Sequence, residues 1–416
     1  MNLQKKKLTL QYCILQGAYW ASFGTIYAFA TLFLLDRGFE SSAIGVIIAL
    51  GNILGVILQP VFAAVADSSR TITLHKLTGA LSCLMLLLLA LLYLTPNGLL
   101  AVAVLFLLTD TFLQVIQPLI NSISVYYVNR GVEVDFGSAR GTGSLSYAVV
   151  TYALGSFVER YGTSSILLTG LLLVLIISAT VLTMPVLPAV RAAHPAEDSS
   201  GKAGQEDHRA EPLSSPDAAH AAGSESMFSF IGRYKYFMLT LVGITFLFTF
   251  HNMNNSYLIH IITNVGGSSS DLGKALAVAA VTELPVMFLF SRLARRFPSS
   301  TLLMVSGVVF ALKAAICMLA SHMTLLYASQ LLQMGSFALY MPASVYYVNH
   351  TMDDRDKFKG QAVMTGTNTL GGVFGSLLGG FLIDSAGVPA MNAAGFGLAA
   401  CGCVLVLLFA GKRDQG

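Results

Sequence analysis

The chain has 416 residues, of which 55% are hydrophobic and only 11% charged, with 24 Lys+Arg against 21 Asp+Glu. A soluble globular domain carries about 25% charged residues, so a chain this apolar, with a mean hydropathy of +0.70, cannot cover its surface in water and the soluble classes are excluded. The net charge of +3 is too small and dispersed for a nucleic-acid partner. The five cysteines lie in apolar stretches without CxxC or metal spacing, which argues against a disulfide framework or a metal site. No Walker loop or nucleotide-binding motif occurs, so neither an ATP-driven pump nor an enzyme is expected, and no cofactor.

A hydrocarbon core of about 30 Å needs about 20 apolar residues per helix. Twelve such spans are found, near 10–35, 42–66, 74–94, 98–128, 141–159, 163–187, 236–263, 272–292, 299–321, 324–349, 360–383 and 388–411. Residues 188–232 are rich in Ala, Ser, Pro, Gly and both charge signs, and read as a flexible linker. This divides the chain into 1–187, the linker 188–232, and 233–416, with six spans on either side. The short loops on the N-terminal side hold most of the Lys and Arg, from Lys5–Lys7 through Arg292, Arg295 and Arg296 to Lys412 and Arg413; the opposite loops hold Arg37, Arg160 and Lys274. By the positive-inside rule both termini and the linker are cytoplasmic.

Charge within a bilayer costs at least about 2.5–3.5 kcal/mol at a helix centre, so intramembrane charges face protein or water and are functional candidates. In chain order, the first span offers Tyr19, Trp20 and Tyr27, rings that could pack on a sugar or an aromatic solute or simply on neighbours. On the fourth span Asp110, Gln114, Gln117 and Asn121 fall on one helix face. Arg140 stands at the mouth of the fifth. The seventh holds the polar run His251, Asn252, Asn254, Asn255, Ser256, Tyr257 and His260, which implies a local unwinding or a water-lined face; the amides suit neutral hydroxyls, which they can meet as donor and acceptor.

Glu283 lies mid-span in the eighth, and Pro285, two residues on, cannot donate to the carbonyl of Val281, so a helix break is expected there. Lys313, half-way along the ninth span, lies too deep to reach the interface and needs an acid, Glu283 or Asp110, or an anionic ligand. Glu283, Lys313 and Asp110 are the proton-coupling candidates. The runs Gly51-x-x-x-Gly55 and Gly371-x-x-x-Gly375-x-x-x-Gly379 permit close helix contact and are expected where the second and eleventh spans slide across the two halves. Tyr126, Tyr127, Tyr346 and Tyr347 read as interfacial belt residues.

The hexapeptide SVYYVN occurs at 124–129 and again at 344–349, each time ending the fourth span of its half before a charged loop and a Gly-rich span. Two parallel six-helix halves joined by a cytoplasmic linker form the architecture of the major facilitator superfamily. QPVFAAVAD (59–67), FGSARGTGSLSY (136–147), VTELPVMFLFSRL (281–293) and GVVFALKAA (307–315) resemble the lactose permease branch of that superfamily, which includes oligosaccharide, nucleoside and phenylpropionate:proton symporters. The resemblance implies that Arg140 matches the essential sugar-binding arginine, Tyr147 the tryptophan stacked on the sugar, Glu283 the sugar-binding glutamate, and Lys313 an arginine beside the proton site. Asn121 or Ser122 stands where the family has a second sugar-binding acid, and Gln330 and Gln333 are the only polar candidates where it has a histidine and a proton-carrying glutamate.

The expectation is an all-α, twelve-span, multi-pass carrier in a bacterial inner membrane, a monomer, importing a small polar or amphiphilic solute such as a sugar, nucleoside or aromatic acid with protons. Tyr27, Asn121, Arg140, Tyr147, His251, Asn252, Asn255 and Glu283 are its substrate-site candidates. Efflux by proton antiport, and a receptor without flux, are the alternatives.

Overall fold

The computed structural model describes residues 3–68, 73–95, 98–132, 134–187 and 227–412. Most of the expected linker, 188–226, lies outside the described residues. The first part of the chain forms α1 (Leu3–Ile26), α2 (Ala30–Asp36), α3 (Ser41–Ser68), α4 (Leu74–Leu94), α5 (Leu99–Val128), α6 (Phe136–Tyr161) and α7 (Ser164–Thr183). The second forms α8 (Met227–Arg233), α9 (Lys235–Ser256), α10 (Leu258–Asn264), α11 (Ser269–Arg296), α12 (Ser299–Leu319), α13 (Met323–Leu331), α14 (Phe337–Thr351) and α15 (Lys357–Phe409). The short helix α8 falls within the last residues of the expected linker, and its Phe230 is buried in the core of the second part.

These elements are helical because a helix alone satisfies its own backbone groups in hydrocarbon. Eight of the described helices are long and apolar enough to span a bilayer, and α1 with α2, bent by 41°, makes a ninth. The other expected spans lack length or apolarity for identifiable reasons. The 26-residue α6 is interspersed with Gly, Ser and Thr and ends in Glu159 and Arg160, and α13 and α14 are separated by a turn at Leu332–Ser336. The 53-residue α15 is two helices meeting at Gly387, φ 82°; a straight helix of that length would run about 80 Å, more than twice the hydrocarbon core. The break expected at Pro285 is absent, since α11 continues through it and absorbs a single missing donor. Breaks fall instead between Ile26 and Ala30, at Tyr257 and before Phe337.

Within the first part α1 packs on α6 and α7, α4 on α5 and α7, and α3 on α5; within the second α9 packs on α15, α12 on α14 and α15, and α11 on α13 and α14. The repeated hexapeptide occupies equivalent environments. Its second tyrosine is core in both copies (Tyr127 0%, Tyr347 2% exposed), which corrects the belt reading for those two. The first is peripheral: Tyr346 is 42% exposed and Tyr126 lies under the Arg130 guanidinium at 3.6 Å.

The two parts meet through α3 with α15 and α6 with α11. The expected sliding glycines are not at this seam. Gly51 and Gly55 face Asp110 and Gln114 of α5, while Gly371, Gly375 and Gly379 face Phe248, Thr249, Met253 and Tyr257 at α9. Glycine spacing marks a close approach without naming the partner. Between the two parts the close approaches are Gly45 with the Ser376 carbonyl, Gly380 with the Ser41 carbonyl, and Gly155 with Gly273. A Cβ at Gly155 would lie 2.6 Å from the Ser269 carbonyl oxygen and 2.9 Å from Gly273 Cα. Gly155→Ala should therefore destabilise the purified protein by about 1–3 kcal/mol through overpacking, lowering its thermal midpoint. Gly141→Ala on the same helix, with nothing within 4 Å of its Cβ position, should not lower the midpoint and should raise it slightly, since alanine favours the helix by about 0.4–1 kcal/mol.

Among the described residues every hydrogen bond between the two parts lies at one end of the bundle. Thr31 Oγ1 donates to the Ser256 carbonyl. Asp384 accepts from the backbone N–H groups of Ser41 (3.2 Å) and Ser42 (2.6 Å) at the start of α3. His260 Nε2 meets Ser41 Oγ at 3.1 Å. The Tyr257 hydroxyl lies between the carbonyls of Ser376 (2.7 Å) and Ser41 (3.1 Å). Ser269 Oγ donates to the Gly155 carbonyl at 3.3 Å, and Ser156 and Ser270 are paired beside it. At the other end of the bundle no such bond joins the described residues.

Candidate functional site

A cavity of about 850 Å³ lies between the two parts. It runs from Tyr27 near the hydrogen-bonded end to Phe136 and Ser291, at the start of α6 and toward the end of α11. All eight residues expected at a substrate site line it: Tyr27, Asn121, Arg140, Tyr147, His251, Asn252, Asn255 and Glu283.

One wall is aromatic. Trp20, Phe23 and Tyr27 succeed one another along α1 and the turn after it, with Phe23 stacked on Tyr27 at 4.8 Å and 20°, and Tyr147 joins them from α6. The Arg140 guanidinium lies 4.0 Å from the Trp20 ring centroid, a cation–π contact, with Nη1 3.5 Å from Ser144 Oγ. Behind it Trp20 Nε1 donates to Gln16 Oε1 (3.2 Å), and Gln16 Nε2 donates to Asn121 Oδ1 (3.0 Å) and to Tyr12 Oη (2.8 Å). This network fixes the ring and the Asn121 amide together. Asp135 caps α6 by accepting from the Ser138 hydroxyl and backbone N–H, bonds that hold its carboxyl below the usual carboxylate range and anchor the turn that leads to Arg140.

The facing wall is polar. The α9 run stays helical through Ser256 and lines the cavity with His251, Asn252, Asn255 and Ser256. Asn255 Nδ2 donates to His251 Nε2 at 3.1 Å, and the imidazole stacks on Phe337 at 4.9 Å and 10°. Glu283 Oε1 accepts from Gln333 Nε2 at 3.1 Å, and Gln333 Oε1 accepts from Lys313 Nζ at 2.7 Å.

Two proton-coupling candidates are not on the cavity wall. Lys313, 1% exposed, makes no ion pair among the described residues; its partner is the neutral Gln333, so the expected direct acid partner is replaced by an amide. Asp110, also 1% exposed, is sealed behind Gly51 and accepts from Gln114 at 3.1 Å. Its stripe does reach the cavity through Gln114, Gln117 and Asn121. The sequence does not single out Asn52, Gln59 and Asn368 and leaves Trp20 open between solute contact and packing; all four line the cavity. An amide within a membrane span was the available signal for the first three. The amides are balanced: Asn52, Gln59, Gln114, Gln117 and Asn121 come from the first part, and Asn252, Asn255, Gln330, Gln333 and Asn368 from the second. Arg140 and Glu283 are the only Arg, Lys, Asp or Glu side chains on the wall among the described residues.

A water-accessible chamber shared by two bundles of apolar helices, lined with amides and aromatic rings, defines a membrane transporter. Comparison with known proteins places it further. Residues 11–391 match the model of the MFS_1 like family, and the chain belongs to that family, within the major facilitator superfamily. It is 25% identical to the maltose permease of Geobacillus stearothermophilus over 398 residues, covering 95% of this chain and 92% of that one. It is 23% identical to the uncharacterized transporter YwbF of Bacillus subtilis, covering 95% and 94%. The crystal structure of the nucleoside transporter NupG superposes with a TM-score of 0.73 at 16% identity, covering 98% of each chain, and that of the POT family transporter PepTSo with 0.69 at 11%, covering 97% of each. At such identities the structures share the fold alone.

Proposed function

We propose that the protein is a proton-coupled symporter, importing a neutral, hydroxyl-rich ring compound, a sugar or nucleoside, by alternating access. Twelve spans in two six-helix halves, 1–187 and 233–416, flank a cytoplasmic linker. Both termini are cytoplasmic, and the monomer resides in a bacterial inner membrane. The observation that carries the substrate class is the lining: ten amides, five from each side, around one Arg and one Glu of opposite sign. Amides donate and accept at hydroxyls, aromatic rings cover an apolar ring face, and the two charges cancel. The names maltose permease and nucleoside transporter, borne by a relative and a structural neighbour, are of the same chemical kind. In this reading Arg140, Asn121, Asn252, Asn255, His251, Tyr27 and Tyr147 hold substrate, and Glu283 holds substrate and proton in turn. A thermal-shift screen of the purified protein over sugars, nucleosides and aromatic acids tests it. A neutral glycoside at 100 times its Kd should add about 2.7 kcal/mol of stability; shifts confined to aromatic acids would overturn the substrate class. Uptake into energised vesicles should rise with an inward proton gradient, whereas an antiporter would respond in the opposite sense.

In this orientation the hydrogen-bonded end faces outward and the cavity faces the cytoplasm. Asp384 then acts as an outer clasp, holding the free N–H groups at the start of α3. Losing a helix cap costs about 0.5–2 kcal/mol. Asp384→Ala should therefore raise the rate at which an impermeant maleimide labels Ser270→Cys from outside by about 2- to 30-fold. Unchanged labelling would remove Asp384 from the gate, and labelling from the cytoplasmic side alone would invert the topology.

A further inference from the structure

Lys313 is buried at 1% exposure in a span where it is the single charged residue, and among the described residues it has no ion-pair partner. Its one hydrogen bond is to Gln333 Oε1 at 2.7 Å. Gln333 is 5% exposed and donates through Nε2 to Glu283 Oε1 at 3.1 Å. An ammonium only donates, so it must take the oxygen of the amide; the NH2 is then left for a carboxylate, which only accepts when ionised. The orientation of the Gln333 amide is thus dictated by its two charged neighbours, and glutamine is the side chain of that length that offers an acceptor and a donor at once without itself titrating.

We infer that Gln333 is a positioning residue that couples the cavity carboxylate Glu283 to the buried cation Lys313. The deduction rests on the symport reading and goes beyond it by naming how the acid is tuned. A direct Lys–Glu pair would hold the carboxylate ionised and closed to ligands, and breaking such a buried pair is costly. The intervening amide transmits the cation's polarity through a hydrogen-bond chain while Glu283 remains on the cavity wall. The charge on Glu283 then decides whether the Gln333 NH2 has a strong acceptor, and through Oε1 that change reaches α12. Gln333 lies within the break of its span, the turn between Leu331 and Phe337, so this amide sits at a natural point of movement. The other titratable or charged groups facing the cluster are Arg140 and Tyr147 from α6, His251 from α9 and Cys317 from α12.

The test uses protons and the single tryptophan of the chain, Trp20, which lies on the cavity wall under Arg140. Trp20 fluorescence of the purified full-length protein, titrated with pH, should show a transition that Glu283→Gln abolishes. Gln333→Met keeps side-chain length and removes both hydrogen bonds; it should move the midpoint by about one pH unit or more. Lys313→Met should move the midpoint in the parent and have no further effect in the Gln333→Met background. If Gln333→Met alone fails to fold, because Lys313 is left buried without a partner, Lys313→Met/Gln333→Met removes that charge and should recover folding; such a rescue supports the link, and failure of the double variant to fold while Lys313→Met folds overturns it. An unchanged midpoint in Gln333→Met, equal effects of Lys313→Met with and without Gln333, or no Glu283-dependent transition in the parent each overturn the inference. Because no flux is measured, a protein that shows this coupling but no proton-driven uptake would refute the symport reading and leave the linkage standing.

Discussion

Glu283→Gln is expected to exchange substrate across the membrane at close to the parent rate while losing accumulation against a gradient. The amide mimics a permanently protonated acid, so the loaded carrier can still reorient, but the proton never leaves and net uptake stops at equal concentrations on the two sides. The geometry favours this acid over the other deep carboxylate. Glu283 lines the cavity and receives the Gln333 bond at 3.1 Å, whereas Asp110 is sealed behind Gly51 with Gln114 as its partner. Asp110→Asn should not separate exchange from accumulation. Counterflow and energised-uptake assays on vesicles of equal protein content decide the matter. If Asp110→Asn alone shows the split, the acids are wrongly assigned. If Glu283→Gln loses binding altogether, the residue is a substrate ligand first and the proton site lies elsewhere.

Arg140→Lys should lose substrate affinity nearly as severely as Arg140→Ala, by about 100-fold or more. Hydrogen bonds to a charged group are worth about 1.5–3 kcal/mol each, and each 1.4 kcal/mol is tenfold, so two lost contacts suffice. Lysine keeps the charge, but its ammonium cannot present a planar fork of donors or stack as a plane on an indole. Both are in use here: the guanidinium lies over Trp20 at 4.0 Å, and that ring is itself held by Gln16. Titration of the Trp20 fluorescence with a glycoside retained from the screen reports the affinity and the state of the ring together. Parent-like affinity in Arg140→Lys would show that charge alone matters at this position.

That the chain resides in a membrane, and where most of its helices run, is legible from the residues alone, because a bilayer taxes each exposed polar group separately and the apolar stretches can be read one at a time. For the same reason Arg140, Glu283 and the polar run beginning at His251 stood out singly; the cavity takes Arg140, Glu283 and, from the run, His251, Asn252, Asn255 and Ser256, while Tyr257 and His260 join the two parts. Which of the intramembrane charges share that cavity was decided only by the tertiary structure. Helical periodicity places Asp110 on the same stripe as Gln114 and Gln117, but the rotation and depth of α5 against α3 put Gly51 over the acid and leave the amides open. Spacing gave Lys313 a need for an acceptor without showing that an amide from α14's preceding turn would supply it. The glycine runs announced close contacts whose partners proved to lie within each half, while single glycines, Gly45, Gly155, Gly273 and Gly380, carry the seam. In each case the sequence fixes what a residue requires, and the neighbour that meets the requirement depends on how two helices are turned toward each other, which no single stretch of chain encodes.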